Sequence, residues 1–140
     1  MSSNESVFLL VEDNEDDAYF MERAFQDAGL KNPLRIVTDG DQAIDYMAGT
    51  GEFADRSRYP LPNMIFLDLK MPGRDGFDVL TWIRRDLKLD VPVAVLTSSP
   101  EEIDRKRARE LGADCYLLKP PTTAMVLSCC RQFALDCPTQ

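Results

Sequence analysis

Continuous apolar runs alternate along this chain with stretches whose apolar residues recur every three or four positions. One run, Met64-Ile-Phe-Leu67, is bounded by Pro62-Asn63 and Pro72-Gly73 and ends on Asp68. Four apolar residues in succession predict a strand buried on both faces. Val7-Phe-Leu-Leu-Val11 predicts another, and it too ends in acid, at Glu12-Asp13-Asn14. A helix follows, with Asn14 as its cap, Ala18, Met21, Phe25 and Ala28 along one face, and Gly29 as its stop. Residues 34–38 predict a short strand. Asp39 then caps a helix with Ala43, Ile44 and Met47 inward, ended by Gly49.

Residues 49–63 predict a long loop, a length that often carries contacts. After Asp75-Gly76, the spacing of Phe77, Leu80, Ile83 and Leu87 predicts a third helix. Residues 91–96 predict a strand ending in Thr97-Ser98-Ser99. Ser99-Pro100-Glu101-Glu102 has the form of a helix start, with Ser99 as cap and Glu102 closing a capping box. The helix that follows turns Ile103, Ala108 and Leu111 inward and stops at Gly112. Residues 115–118 predict a last strand before Lys119-Pro120-Pro121. Thr122 or Thr123 opens a final helix to about Asp136. Five strands alternating with five helices predict an α/β doubly wound (βα)5 parallel sheet with right-handed crossovers, the flavodoxin-like architecture of strand order 2-1-3-4-5.

Composition narrows the chemistry. The chain has 140 residues, 44% of them hydrophobic and 29% charged, which suits one domain with its own core. A net charge of −8 argues against non-specific nucleic-acid or anionic-membrane binding. No apolar run reaches the length of a membrane span, and residues 1–6 are not signal-like, so a cytoplasmic protein is expected. There is no histidine, and Cys115, Cys129, Cys130 and Cys137 have no CxxC spacing. Zinc sites of the usual kinds and histidine-activated nucleophiles are thereby excluded. The cysteines read as small buried apolar residues.

The polar residues that remain cluster at strand ends: Glu12 and Asp13, Asp68, Thr97, and Lys119. With strands one and three adjacent at the switch point, Glu12, Asp13 and Asp68 share one crevice. Three carboxylates in a small space call for a counterion, and a few hard oxygen ligands beside open water suit Mg2+. A hydroxyl from Thr97 and an ammonium from Lys119 complete a set able to stabilise a transferring phosphoryl group, with an aspartate as the available nucleophile.

At this point the chain resembles a receiver domain of the two-component response regulators. The residues that carry the resemblance are Glu12-Asp13, Asp68 with Met71-Pro72 and Asp75-Gly76 behind it, Thr97, and Lys119-Pro120. It runs from about Ser6 to Gln132, and the long loop before the third strand is similar to that of stand-alone regulators partnering phytochrome kinases. The resemblance implies a single receiver domain over residues 1–140, core about 6–136, with no output domain. It implies Asp68 as phosphoacceptor, and Mg2+ (or Mn2+) held by Asp13, Asp68 and the backbone carbonyl of Lys70, with Glu12 acting through water. It further implies Thr97 and Lys119 as phosphoryl-stabilising residues, a cis bond before Pro120, and Tyr116 as an aromatic switch coupled to Thr97. The implied donor is a sensor histidine kinase or phosphotransfer protein, and the implied output is protein contact. No enzymatic turnover beyond phosphotransfer and slow autodephosphorylation is implied.

Other readings accompany these residues. Asn14 and Asp75 read as helix caps, Asp16 and Asp17 as a solvated first turn, and Trp82 as packing. Lys70, two residues after Asp68, is placed to shield or pair with an acyl phosphate, while Ser99 offers no group to position a hydrolytic water. In the last helix Val126, Cys130, Phe133 and Cys137 form a stripe for the sheet. Met125, Ser128, Cys129 and Gln132 are left outward with little polarity, which suggests a homodimer or kinase contact including Tyr116 and the last strand. The alternatives are a degenerate receiver acting without phosphorylation, a small α/β phosphatase or dehalogenase, and a flavin carrier. The second of these lacks a further acid–base residue and a cap, and the third lacks a phosphate loop after the first strand.

Overall fold

The computed structural model describes residues 7–133. Five strands, β1 (Phe8–Val11), β2 (Leu34–Val37), β3 (Met64–Asp68), β4 (Val93–Thr97) and β5 (Cys115–Leu118), form one parallel sheet in the order β2-β1-β3-β4-β5. Between and after them lie α1 (Glu15–Asp27), α2 (Gly40–Ala48), α3 (Gly76–Thr81), α4 (Glu102–Glu110) and α5 (Thr123–Phe133). The expected fold and strand order are therefore present.

Alternate strand residues face opposite layers, as the period of two requires. Leu9, Val11, Ile65, Leu67, Val93 and Val95 pack with Ala43 and Met47 of α2, Leu80 of α3, and Ala108 of α4. Phe8, Leu10, Met64, Phe66, Ala94 and Leu96 pack with Met21 and Phe25 of α1 and Val126, Cys129 and Cys130 of α5. Phe25 stands edge-on to both Phe8 (5.2 Å) and Phe66 (5.7 Å). Burying each of these rings contributes about 1.5–3 kcal/mol. Trp82 packs at the margin of the first core, as expected.

Several local expectations need correction. Ser99 does not cap α4. Pro100 is followed by Glu101 in an extended conformation, so the helix opens at Glu102 with no side-chain cap bond. Ser99 is engaged elsewhere: its Oγ accepts from the Glu101 N–H (3.3 Å) and donates to Asp104 (2.9 Å), while its carbonyl accepts from the Tyr116 hydroxyl (3.1 Å). Ile103 is not inward but 73% exposed, and Ala108 is the buried residue of α4.

Cys129 is not outward either. It is buried against Cys115, because β5 offers α5 a half-buried thiol at that level and the helix inserts Val126, Cys129 and Cys130 together. The side chain of Phe133, Cys137 and the helix beyond Phe133 lie outside the described residues. The third helix changes pitch to a π-helical turn over Trp82–Asp86.

The stretch 49–63 is more ordered than a plain loop. Gly49 takes φ 72° at the end of α2, and one 3-10 turn spans Gly51–Phe53. The Arg56 guanidinium donates to the carbonyls of Tyr46 (2.8 Å) and Met47 (2.8 Å) in the last turn of α2 and to that of Tyr59 (3.1 Å) in the loop, tying the two together. Tyr46, Phe53 and Tyr59 then pack ring to ring.

Candidate functional site

The carboxyl ends of β1 and β3 bring their acids together. Glu12 and Asp13 follow β1 directly, and Asp68 is the last residue of β3. Each of the three carboxylates offers an oxygen within 4.8 Å of the others'. Glu12 and Asp68 are buried, at 2% and 3% exposure, whereas Asp13 is open to solvent.

Local sequence fixes the positions. Glu12 is held from the backbone by its N–H on the Val37 carbonyl (3.0 Å), and its carboxylate accepts from the Asn14 N–H (3.2 Å). The turn after Asp68 is pinned by α3. Asp75 caps that helix in a reciprocal capping box with Asp78, and the Gly76 N–H donates to the Leu69 carbonyl (3.0 Å). A Cβ at Gly76 would collide with the Asp68 carbonyl oxygen and lie 2.7 Å from the Leu69 Cα, so only glycine lets the helix start press this closely on the strand end.

Lys119 reaches the same crevice from β5, beyond the intervening β4. Its ammonium lies 2.8 Å from Glu12, 3.0 Å from Asp17 and 3.3 Å from Asp68. Its backbone N–H donates to the Thr97 carbonyl (2.8 Å), and the Lys119-Pro120 bond is cis, as expected. Burial acts to lower the Lys119 pKa. The bonds to Glu12 and Asp17, with the charge of Asp68, outweigh it and hold the ammonium above its usual range. Asp68 moves the other way: burial, then the neighbouring charge of Glu12, raises its pKa to about 7 against the pull of Lys119. Three acids with one buried lysine leave the crevice short of positive charge. This all-oxygen donor set of buried and exposed carboxylates fits a small divalent cation.

Thr97 ends β4 one residue beyond the level of Asp68, fully buried, and its Oγ accepts from the Ser99 N–H (3.1 Å). Tyr116 is half-buried on β5, under the Arg105 guanidinium at 4.8 Å. Burial foremost raises the pKa of its hydroxyl. The Lys70 side chain is 65% exposed, and its ammonium sits 3.8 Å from Asp104. Its backbone N–H meets an Asp68 oxygen at 3.3 Å. Of the outer residues on α5, Met125 is half-buried and Gln132 exposed.

The structure thus brings Glu12, Asp13, Asp68 and Lys119 into one crevice, with Thr97 and Lys70 on neighbouring backbone. Asn14 and Asp75 are caps, as read. Asp17 and Asp104 were missed as partners of the site. A period of helix turns places Asp17 three residues after its cap, but only the fold shows that the open side of that turn faces Lys119.

The chain belongs to the response regulator receiver domain family, whose pattern matches residues 8–129. Among its relatives, the probable methanogenesis regulatory protein FilR2 of Methanothrix harundinacea (strain 6Ac) is 40% identical over 115 residues, covering 81% of this chain and 72% of the relative. Response regulator Rcp1 of Synechocystis sp. (strain ATCC 27184 / PCC 6803 / Kazusa) is 38% identical over 120 residues, covering 84% and 79%. Its Mn2+-bound form superposes with a TM-score of 0.76, covering 96% of this chain and 97% of Rcp1 at 34% identity. The bacteriophytochrome response regulator AtBRR superposes with a TM-score of 0.84 at 32% identity, covering 97% of each chain. Among the described residues no helix is long and apolar enough to cross a membrane.

Proposed function

We propose that this protein is a cytoplasmic phosphorylation switch whose acceptor is Asp68. One observation carries the reading: the Asp68 carboxylate stands at the end of a buried strand, 3.3 Å from the Lys119 ammonium and beside two further acids. An Asp68 oxygen attacks the phosphorus of a phosphohistidine on a sensor kinase or phosphotransfer protein. The P–N bond breaks, the imidazole recovers a proton, and Asp68 carries the phosphoryl group as an acyl phosphate. Lys119 then faces a phosphoryl oxygen, and the Thr97 hydroxyl donates to another. Glu12, Asp13, Asp68 and the Lys70 carbonyl would hold Mg2+ or Mn2+, Glu12 through water. The bound ion supplies charge neutralisation at the transferring oxygens. A Mn2+-bound form of the relative Rcp1 supports this assignment.

The likeness to AtBRR over 97% of both chains favours a phytochrome-class histidine kinase as donor. Phosphorylation biases Thr97 and Tyr116 and so changes protein contacts on the side of β5 and α5. A homodimer through that strand and helix is part of the reading. It is supported by the shallow cavity along Ala124, Leu127, Ser128, Arg131 and Gln132, and by Leu118, which is 38% exposed on the edge strand. Its contact residues are Tyr116, Met125 and Gln132, with Cys129 removed from that set by its burial. A receiver that signals without phosphorylation is the competing reading. Transfer of radiolabel from a phosphorylated histidine kinase separates the two. Label on the wild type, lost with EDTA and with Asp68→Asn, supports the switch, and no transfer from any active kinase supports the competitor.

A further inference from the structure

Outside the acidic crevice, the second core holds thiol groups that the phosphorylation chemistry does not use. Cys129 on α5 lies with its Sγ 3.3 Å from the Sγ of Cys115 on β5, donating its S–H to it. The two cysteines are 14 residues apart in sequence and are brought together by the packing of α5 on β5. Cys129 is 4% exposed, whereas Cys115, on the edge strand, is half-buried. The polarity of the contact is the one that redox pairs need: the donated S–H from Cys129 pulls the Cys115 thiol pKa down.

We propose that Cys115 and Cys129 are a peroxide-oxidisable pair, Cys115 the reacting thiol and Cys129 the resolving one. The Cys115 sulfur attacks a peroxide oxygen, the O–O bond breaks, and a sulfenic acid and one water form. The Cys129 sulfur then displaces hydroxide from that sulfenic sulfur, which leaves as a second water with the Cys129 proton. Two thiols thus lose two electrons and two hydrogens in all, and hydrogen peroxide becomes two waters. The sulfurs must close from 3.3 Å to about 2.05 Å. The resulting bond ties α5 to the strand that carries Tyr116 and leads into Lys119. A dithiol reductant reverses it.

The test uses the full chain and hydrogen peroxide, read by intact mass without reductant and by differential alkylation with tandem mass spectrometry. The expected result is a loss of two hydrogens, about 2 Da, restored by dithiothreitol, with the bond mapped to Cys115 and Cys129. Cys115→Ser and Cys129→Ser abolish the loss, and Cys130→Ser keeps it. If a serine variant fails to fold, the wild-type mapping decides alone. An unchanged mass, oxygen addition without bond formation, or a bond mapped to Cys130 or Cys137 would overturn the proposal.

Discussion

Lys119 and Asp68 meet at 3.3 Å although their strands, β5 and β3, are not neighbours. The lysine spans the end of β4 to do so, and its ammonium is the cation that Glu12 and Asp68 share inside the crevice. Removing it leaves two buried acids facing each other. Lys119→Met is expected to destabilise the metal-free protein by about 1–3 kcal/mol at pH 8. The loss is expected to be smaller at pH 5, where Asp68 accepts a proton instead. Urea unfolding at the two pH values checks this, and equal losses would contradict it.

Asp68 titrates near 7 in the folded chain against 3.8 in an unfolded one. Between those values the folded state binds the extra proton, so this group's contribution to stability is full below about pH 4 and is lost as pH rises through about 7. Asp68→Asn is therefore expected to flatten the pH dependence and to stabilise the metal-free protein at pH 8 by about 1–2 kcal/mol. Millimolar Mg2+ or Mn2+ is expected to raise the wild-type midpoint at pH 8 and to act much less on the variant. Thermal melts with and without EDTA provide the comparison.

Lys70 is paired loosely with Asp104 at 3.8 Å and remains mostly exposed, so its ammonium is free to swing toward a phosphoryl group on Asp68. Lys70→Asn is expected to speed release of inorganic phosphate about threefold or more, by unshielding the acyl phosphate. The observable is the decay of phosphorylated protein after donor removal. An unchanged decay rate would rule the shielding role out.

The β5–α5 side is expected to self-associate. Sedimentation velocity of the wild type, with and without phosphoryl donor, is expected to show a dimer in at least one state, weakened by Met125→Asp. A monomer in both states contradicts the dimer and leaves the switch chemistry intact.

Much of this was legible because strand ends announce themselves. Residues 64–67 are apolar without interruption, so Asp68 could only be the end of a buried strand, and Glu12-Asp13 follows the same grammar after β1. What failed depended on contacts across elements. Cys129 read as outward from its helix alone, and only Cys115 arriving from β5 makes its side of α5 an inner one. Ser99 matched a capping box by spacing, yet Tyr116 and Asp104 claim its polar atoms first. Asp17 read as a solvated helix start until Lys119, 102 residues later, was brought against it. Arg56 gives no periodic signal at all, although it closes the end of α2.

The acceptor role of Asp68 is tested most directly by intact mass after incubation with acetyl phosphate and Mg2+. The wild type is expected to gain one phosphoryl group, about 80 Da, and to lose that gain with EDTA or with Asp68→Asn. No gain on folded, Mg2+-loaded protein, or a gain that persists in Asp68→Asn, would contradict it.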